Sequence, residues 1–427
     1  MISFLPQQRL RRNGLLFMHA IFLSLICAIP MQVRAEIRLG MTAALSGPSQ
    51  ELGKQMQLGI EACFAEVNAA GGIHGEQLRL IARDDGYEPM RAASNMHALI
   101  NEDKVAAVIG NVGTPTAIVT APIAIATKTL LFGAYSGAEI LRRTPPDKYI
   151  INYRASYAEE TSAMIDYLLR HGMRPDEIAF FTQRDAFGDD GYHGAIQALR
   201  AHGFSDTGKL VHARFTRNTL NVEHAVAELL DAPVTPRAVI MIGGHKPSAA
   251  FIRLARRDLP DLEFLHVSFG GSGALAEILG EDGNGVLVTQ VVPGVNSELP
   301  LVAEYRAVLR KFAPGEAFDF ISLEGYIVAK LMVQALNAAA PGVNSDALAQ
   351  AFAAMKSLDI GLGHPVTLVK GKQPTTHQVW ITRIVNGKFE ELEETSMPTV
   401  SGAAPVALLK RNSAISSLQT VSKEPQW

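Results

Sequence analysis

The stretch Val105–Thr116 reads VAAVIGNVGTPT. Its apolar run, Val105 to Ile109, ends in Gly110-Asn111-Val112-Gly113, and Thr114-Pro115 then open a new periodic segment, Ala117–Ala126. A short apolar run closed by glycine is the pattern of a buried strand. Proline is tolerated in the first helical turn, where its missing N–H has no partner to lose. The stretch therefore predicts a strand, a glycine turn and a helix start, with Thr114 as N-cap and Pro115 at the first helical position. Such a turn lies at the carboxyl end of a parallel strand, where open α/β sheets hold their ligands. The helix start offers unpaired N–H groups, the Thr114 hydroxyl and partial positive charge, which suit a carboxylate. A well-capped turn with no ligand fits the same residues.

The alternation continues in both directions. Ile37–Leu45 reads as a strand, Gly53–Asn68 as a helix, Gln77–Ala82 as a strand leaving through Asp84-Asp85-Gly86, and Pro89–Ile100 as a helix. Thr129–Ala134 is the fourth strand, after which two prolines in Arg142–Tyr149 break the rhythm. A second series follows: strand Ile150–Arg154, helix Ala158–His171, strand Ile178–Thr182, helix Gly188–Ala201, strand Ala238–Gly243, helix Pro247–Arg256, then strands Phe264–Val267 and Val286–Val291. Helical patterns at Pro300–Phe312, Ser322–Ala339 and Ser345–Met355 precede Gln378–Ile384, Asn386-Gly387 and Lys388–Leu392, which read as a β-hairpin. Repeated strand-helix units imply an α/β fold of parallel, helix-covered sheets, here in two lobes.

The N-terminus has a different character. Arg9, Arg11 and Arg12 precede the apolar run Leu15–Ile29, and Val33-Arg34-Ala35 places small residues where a signal peptidase reads. Residues 1–35 are expected to be a cleaved signal peptide and the mature protein to be exported. The whole chain has a formal charge of −3, and residues 1–35 hold four arginines and no acids, so the remainder is near −7. That balance leaves no basic patch for nucleic acid. Cys63 is the one cysteine left after cleavage, and its helical phase predicts burial rather than reactivity. Residues 397–427 carry Ser, Thr and Pro without periodicity and read as a C-terminal tail.

Catalytic and metal-binding groupings do not emerge from the sequence. The 12 His are scattered, and no HExxH, GxSxG or GxxxxGK[ST] pattern occurs. No catalytic residue, metal or cofactor is therefore expected, and the chain is not expected to be an enzyme. Asp84 and Asp85 stand next to each other on a strand exit and point to opposite sides, which favours turn or capping roles over paired acid-base work. The strand exits instead carry Ser46-Gly47, Gly113-Thr114, Ala134-Tyr135-Ser136, Phe187-Gly188, Gly243-Gly244-His245 and Ser268-Phe269-Gly270. Small residues let backbone amides approach a ligand, hydroxyls orient it and rings shield it, an inventory for binding rather than turnover.

Residues 36 to about 395 resemble the substrate-binding proteins of branched-chain amino acid ABC transporters, the leucine-binding protein family. The resemblance lies in Ala44-Leu45-Ser46-Gly47-Pro48, Asn68-Ala69-Ala70-Gly71-Gly72-Ile73-His74-Gly75, Asp84-Asp85-Gly86-Tyr87-Glu88-Pro89, Val105–Gly113, Phe187-Gly188, and Asn284-Gly285-Val286 leading to Pro293. It implies a type I periplasmic-binding fold, two doubly wound parallel-sheet lobes joined by three crossovers that close on a ligand by hinge motion. The crossovers are expected near Ile151–Arg154, Val291–Pro293 and Thr375–His377. Lobe 1 is then 36–153 and 293–375, and lobe 2 is 154–292 and 376–396.

Carried onto this sequence, the family's carboxylate contacts fall on Thr114, Ala134 and Ser136. Its ring positions fall on Phe187, which lacks a hydroxyl, and on His245. The glutamate that pairs with a ligand ammonium falls on Phe269, or on Ser268 if the alignment slips by one. The family's disulfide is missing, because Cys63 has no partner. The resemblance thus implies a monomer that captures an amino acid, or a carboxylate or amide lacking the α-ammonium, and delivers it to an ABC permease. A sensor subunit signalling to a membrane receptor kinase is the alternative. His245, Phe187 and Phe269 together would suit an aromatic or flat ligand body.

Overall fold

A computed structural model describes Met1 and residues 36–355, 357–368 and 377–392. The expected signal peptide, residues 397–427 and Thr375 of the third crossover lie outside the described residues. The first unit runs β1 (Glu36–Ala43), α1 (Gln50–Ala69), β2 (Gln77–Asp84), α2 (Pro89–Asn101), β3 (Ala107–Ile109), α3 (Thr114–Thr127), β4 (Leu131–Phe132) and β5 (Ile150–Ile151). Its five strands are ordered β2-β1-β3-β4-β5, and all are parallel. The side chains alternate between faces as the pleat requires. Val108 and Leu131 pack with Met96 and Ala121 of the helices on one face, while Ile109 and Phe132 join the larger core on the other.

The second unit runs α4 (Tyr157–Arg170), β6 (Ile178–Gln183), α5 (Ala186–Ala201), β7 (His212–Phe215), α6 (Glu223–Leu230), β8 (Ala238–Ile242), α7 (His245–Asp258), β9 (Glu263–His266), α8 (Ser272–Leu279) and β10 (Leu287–Gln290). Its seven-stranded sheet has the order β12-β11-β10-β9-β8-β6-β7. Here too both faces are covered: Phe180 and Ile240 pack with Met164 and Leu199, whereas Phe181 and Met241 pack with Val226 and Phe251. The antiparallel edge is the late hairpin, β11 (Trp380–Val385) and β12 (Lys388–Glu391). Its turn puts Asn386 and Gly387 at positive φ of 50° and 73°, the backbone that a two-residue hairpin requires.

Between those strands the chain returns to the first unit. Helices α9 (Pro300–Phe312), α10 (Phe320–Ala338) and α11 (Ser345–Ala354) follow β10. Phe352 of α11 stacks on Phe132 of β4 at 4.4 Å between ring centroids. Helix α10 lies directly along α1, because Gly59 and Gly325 carry no side chain at the crossing. A Cβ on Gly59 would sit 1.9 Å from the Ser322 carbonyl oxygen. The chain therefore passes between the units three times: after β5, after β10 and after α11.

Several sequence expectations need adjustment. Helix α3 begins at Thr114, and its N-cap is Gly113, at φ 105°. Thr114 does not cap the helix; its hydroxyl points elsewhere, and Thr116 instead donates to the Val112 and Gly113 carbonyls. Helix α1 starts at Gln50, three residues before Gly53, and Gly53 lets it pass close to the Ala44 carbonyl oxygen, which a Cβ there would meet at 2.0 Å. Strand β7 and helices α6 and α8 went unpredicted: each is short, and β7 (HARF) is an edge strand that alternates buried and half-buried residues. Cys63 is buried and free, and burial pushes its thiol up to about 12.

The α1–α10 crossing has a direct test. Gly59→Ala should destabilise the intact protein by about 1–3 kcal/mol, because the atom it meets is backbone and neither helix can yield without moving the other. The urea unfolding midpoint reports this, and an unchanged midpoint would show that the crossing tolerates a methyl group.

Candidate functional site

The carboxyl ends of the two parallel sheets face each other, and the loops that leave them meet. Thr114 at the start of α3, Ser136 after β4 and Tyr157 at the start of α4 are all buried. Thr114 Oγ1 lies 2.8 Å from Ser136 Oγ and 3.2 Å from Tyr157 Oη, and the last two are 3.4 Å apart. A capping box holds Tyr157 in place: the Glu159 N–H donates to Ser156 Oγ, and the Ser156 N–H donates to Glu159 Oε2. Gly137 makes room for it, because a Cβ there would sit 2.7 Å from the Tyr157 ring. The three hydroxyls are a donor cluster beside a helix N-terminus, the chemistry that receives a carboxylate.

A set of rings adjoins them. Phe269 lies 4.6 Å from Phe187, 5.2 Å from Tyr135, 6.2 Å from Tyr157 and 6.3 Å from Tyr87, centroid to centroid. These spacings are those of mutually stabilising aromatic pairs. Tyr87 and Tyr135 come from the first unit, and Tyr157, Phe187 and Phe269 from the second. Tyr87 reaches the cluster from a backbone at φ 65°. Gly113 leaves space for its ring, since a Cβ there would lie 2.3 Å away. The Tyr87 hydroxyl is buried with no hydrogen-bond partner among the described residues.

The six residues singled out in the sequence therefore separate. Thr114, Ser136, Phe187 and Phe269 come together. Ala134 is close in the chain, but its side chain packs with Leu131 and Met96 on the other face of the first sheet, leaving only its backbone near the site. His245 is buried as the first residue of α7, with Nδ1 3.1 Å from the Gly270 carbonyl oxygen. Burial lowers its pKa.

Behind Ser268 and Tyr135 lies an ionic group. The fully buried Arg154 stacks its guanidinium 4.4 Å from the Tyr135 ring centroid and donates through Nη2 to Ser268 Oγ. Glu160 and Glu324 each lie 3.7 Å from it. Glu160 Oε2 accepts from the Ser268 N–H at 2.8 Å and from Thr289 Oγ1 at 2.6 Å. Burial pushes Glu324 up to about 7, against the pull of Arg154. Burial opposes the charge on Arg154 as well, but Glu324, Tyr135 and Glu160 hold its pKa up. At the rim, Glu88 of the first unit accepts from Arg217 at 2.9 Å and from Asn218 at 2.7 Å.

Sequence reasoning did not select Tyr87, Tyr135, Tyr157, Arg154, Glu160 or Glu324. Tyr135 stood between two residues that it did select. Glu324 carried a signal of its own, a carboxylate inside the apolar run Phe320–Val328.

The family described as "Periplasmic binding protein" matches residues 36–388. The chain belongs to that family. Within it, this periplasmic binding protein is of the branched-chain amino acid type, with the two-lobed type I fold. A crystal structure of "a possible leucine/isoleucine/valine-binding protein" from Rhodopirellula baltica SH 1 is similar to it at 45% identity and a TM-score of 0.82, covering 86% of this chain and 98% of that one. An "amino acid binding protein" of Pseudomonas aeruginosa is 24% identical over 384 residues, covering 86% of this chain and 92% of its own length. A solute-binding protein of an ABC transporter from R. palustris, solved with benzoate, shares the fold at 16% identity and a TM-score of 0.74, covering 87% of this chain and 99% of that one.

The raised pKa of Glu324 has a consequence for stability. Between about 4.5 and 7 the folded protein holds a proton that the unfolded chain has released, so stability falls as pH rises through that window and levels off above it. Glu324→Gln should remove that part of the slope in denaturation midpoints of the intact protein. An identical slope in the variant would place the titration elsewhere.

Proposed function

We propose that this periplasmic binding protein is exported through cleavage after Ala35, captures a small organic acid between its lobes and delivers it to an ABC permease. The lobes are 36–153 with 293–375, and 154–292 with 376–396. The observation that carries the reading is the meeting of hydroxyls and rings from both units at one buried place between the sheets. A carboxylate or amide end fits the hydroxyls of Thr114, Ser136 and Tyr157 and the backbone at Ala134. A flat, aromatic body would stack against the rings of Phe187 and Phe269, which pack with Tyr135 and Tyr87 in this structure. His245 reaches the Gly270 carbonyl oxygen, one residue beyond Phe269.

An α-amino acid would also need a carboxylate for its ammonium. The two buried glutamates nearest the rings already face Arg154. The reading therefore favours a ligand without that ammonium. The benzoate bound by the R. palustris protein is a ligand of this chemical kind in the same fold. Opening the cleft would separate Tyr157 from Thr114 and expose all three hydroxyls to water, so a ligand that accepts from them favours the closed form.

Titration calorimetry with 3-phenylpropionate, an aromatic acid with no amine, tests the assignment. Thr114→Ala should weaken binding by about 1–3 kcal/mol, the loss of a hydrogen bond to a charged group. An affinity equal to that of the unaltered protein would remove Thr114 from the site.

A further inference from the structure

The ionic group behind the rings bears on which charges the cleft accepts. Arg154 lies between β5 and α4, Glu160 on α4 and Glu324 on α10, and all three are buried. Arg154 is fixed to the site on two sides, by its ring contact with Tyr135 and by its hydrogen bond to Ser268 Oγ. Its Nε and Nη1 have no acceptor among the described residues, nor has Glu160 Oε1 a donor. The half-buried Arg142 adds a second guanidinium, donating to the Arg154 carbonyl oxygen. Another nearby acid, Glu159, is bound to His377 at 2.9 Å. Arg154 thus stands between the buried Glu160 and Glu324 and is the cation that faces both.

A ligand ammonium placed beside Phe269 would lose its water and find Arg154 on the far side of Tyr135 and Ser268, with Glu160 and Glu324 already facing that cation. A ligand carboxylate would instead keep its hydroxyl contacts, with the Arg154 cation rather than an unpaired carboxylate behind the rings. We propose that Arg154 is the specificity-determining residue of the cleft, a built-in cation that neutralises Glu160 and Glu324 and so selects organic anions over amines and α-amino acids. Arg154 acts through Tyr135 and Ser268 as a positioning residue. The proposal rests on the reading above that the cleft takes an organic acid.

The test compares 3-phenylpropionate with phenylalanine, which differ by the α-ammonium alone, by titration calorimetry on the full mature protein. The unaltered protein should bind the propionate at least about tenfold more tightly. Arg154→Met removes the cation that faces Glu160 and Glu324 and should lower that preference at least about tenfold, while Arg154→Lys should keep it. Glu160→Gln retains an acceptor for the Ser268 N–H and should raise the preference severalfold, a readout that stands even where Arg154→Met fails to fold.

A structural role alone would weaken both ligands equally, and an unmoved preference in the folded variants overturns the proposal. So does an unaltered protein that holds phenylalanine as tightly as the propionate. Failure of the unaltered protein to bind either compound would instead overturn the organic-acid reading, and this proposal with it.

Discussion

The closed cleft depends on the contact between the Tyr157 hydroxyl and those of Thr114 and Ser136. Tyr157 belongs to the second unit, and its two partners belong to the first. Buried hydroxyls are costly unless hydrogen-bonded, and with the units together these three satisfy one another. The rings add the apolar part of the same closure, with Phe269 set among residues from both sides. The hydroxyl cluster is thus assembled from both units.

The rest of the fold positions that contact. Parallel strands bring the exits of β3 and β4 side by side, which puts Thr114 and Ser136 within hydrogen-bonding distance although 22 residues separate them. The capping box at Ser156 and Glu159 fixes the start of α4 and with it the direction of Tyr157. Glycines supply space where a side chain would collide: Gly113 beneath Tyr87, Gly137 beside Tyr157, and Gly59 where α1 meets α10. Each of these is a local feature of the chain whose purpose becomes visible only when the second unit is in place.

That division explains how much was legible in the sequence. Strand-helix alternation is a local signal, so the α/β class, nearly every parallel strand and the Asn386-Gly387 hairpin followed from it. The motifs that carry the family resemblance lie in the same loops, which is why Thr114, Ser136, Phe187 and Phe269 were named and are found together. Short edge elements such as β7 carry too few residues for a period to show. Thr114 was expected to cap α3, but one residue of shift gives that place to Gly113 and frees the hydroxyl for the cleft. The Arg154 group was not legible, because it joins residues from a crossover and two helices whose proximity is a property of the three-dimensional fold.

The ionic group also shows why an altered residue at one position need not leave a gap. Phe269 and Ser268 offer no carboxylate, and Glu160 reaches the Ser268 amide from another helix with Arg154 beside it. The polarity of the site is thus set from behind rather than from the loop itself. Native mass spectrometry of the mature protein as purified, with any retained small molecule identified, tests this account most directly. The account predicts an aromatic or otherwise flat organic acid without a basic nitrogen. An α-amino acid held in the cleft would contradict it.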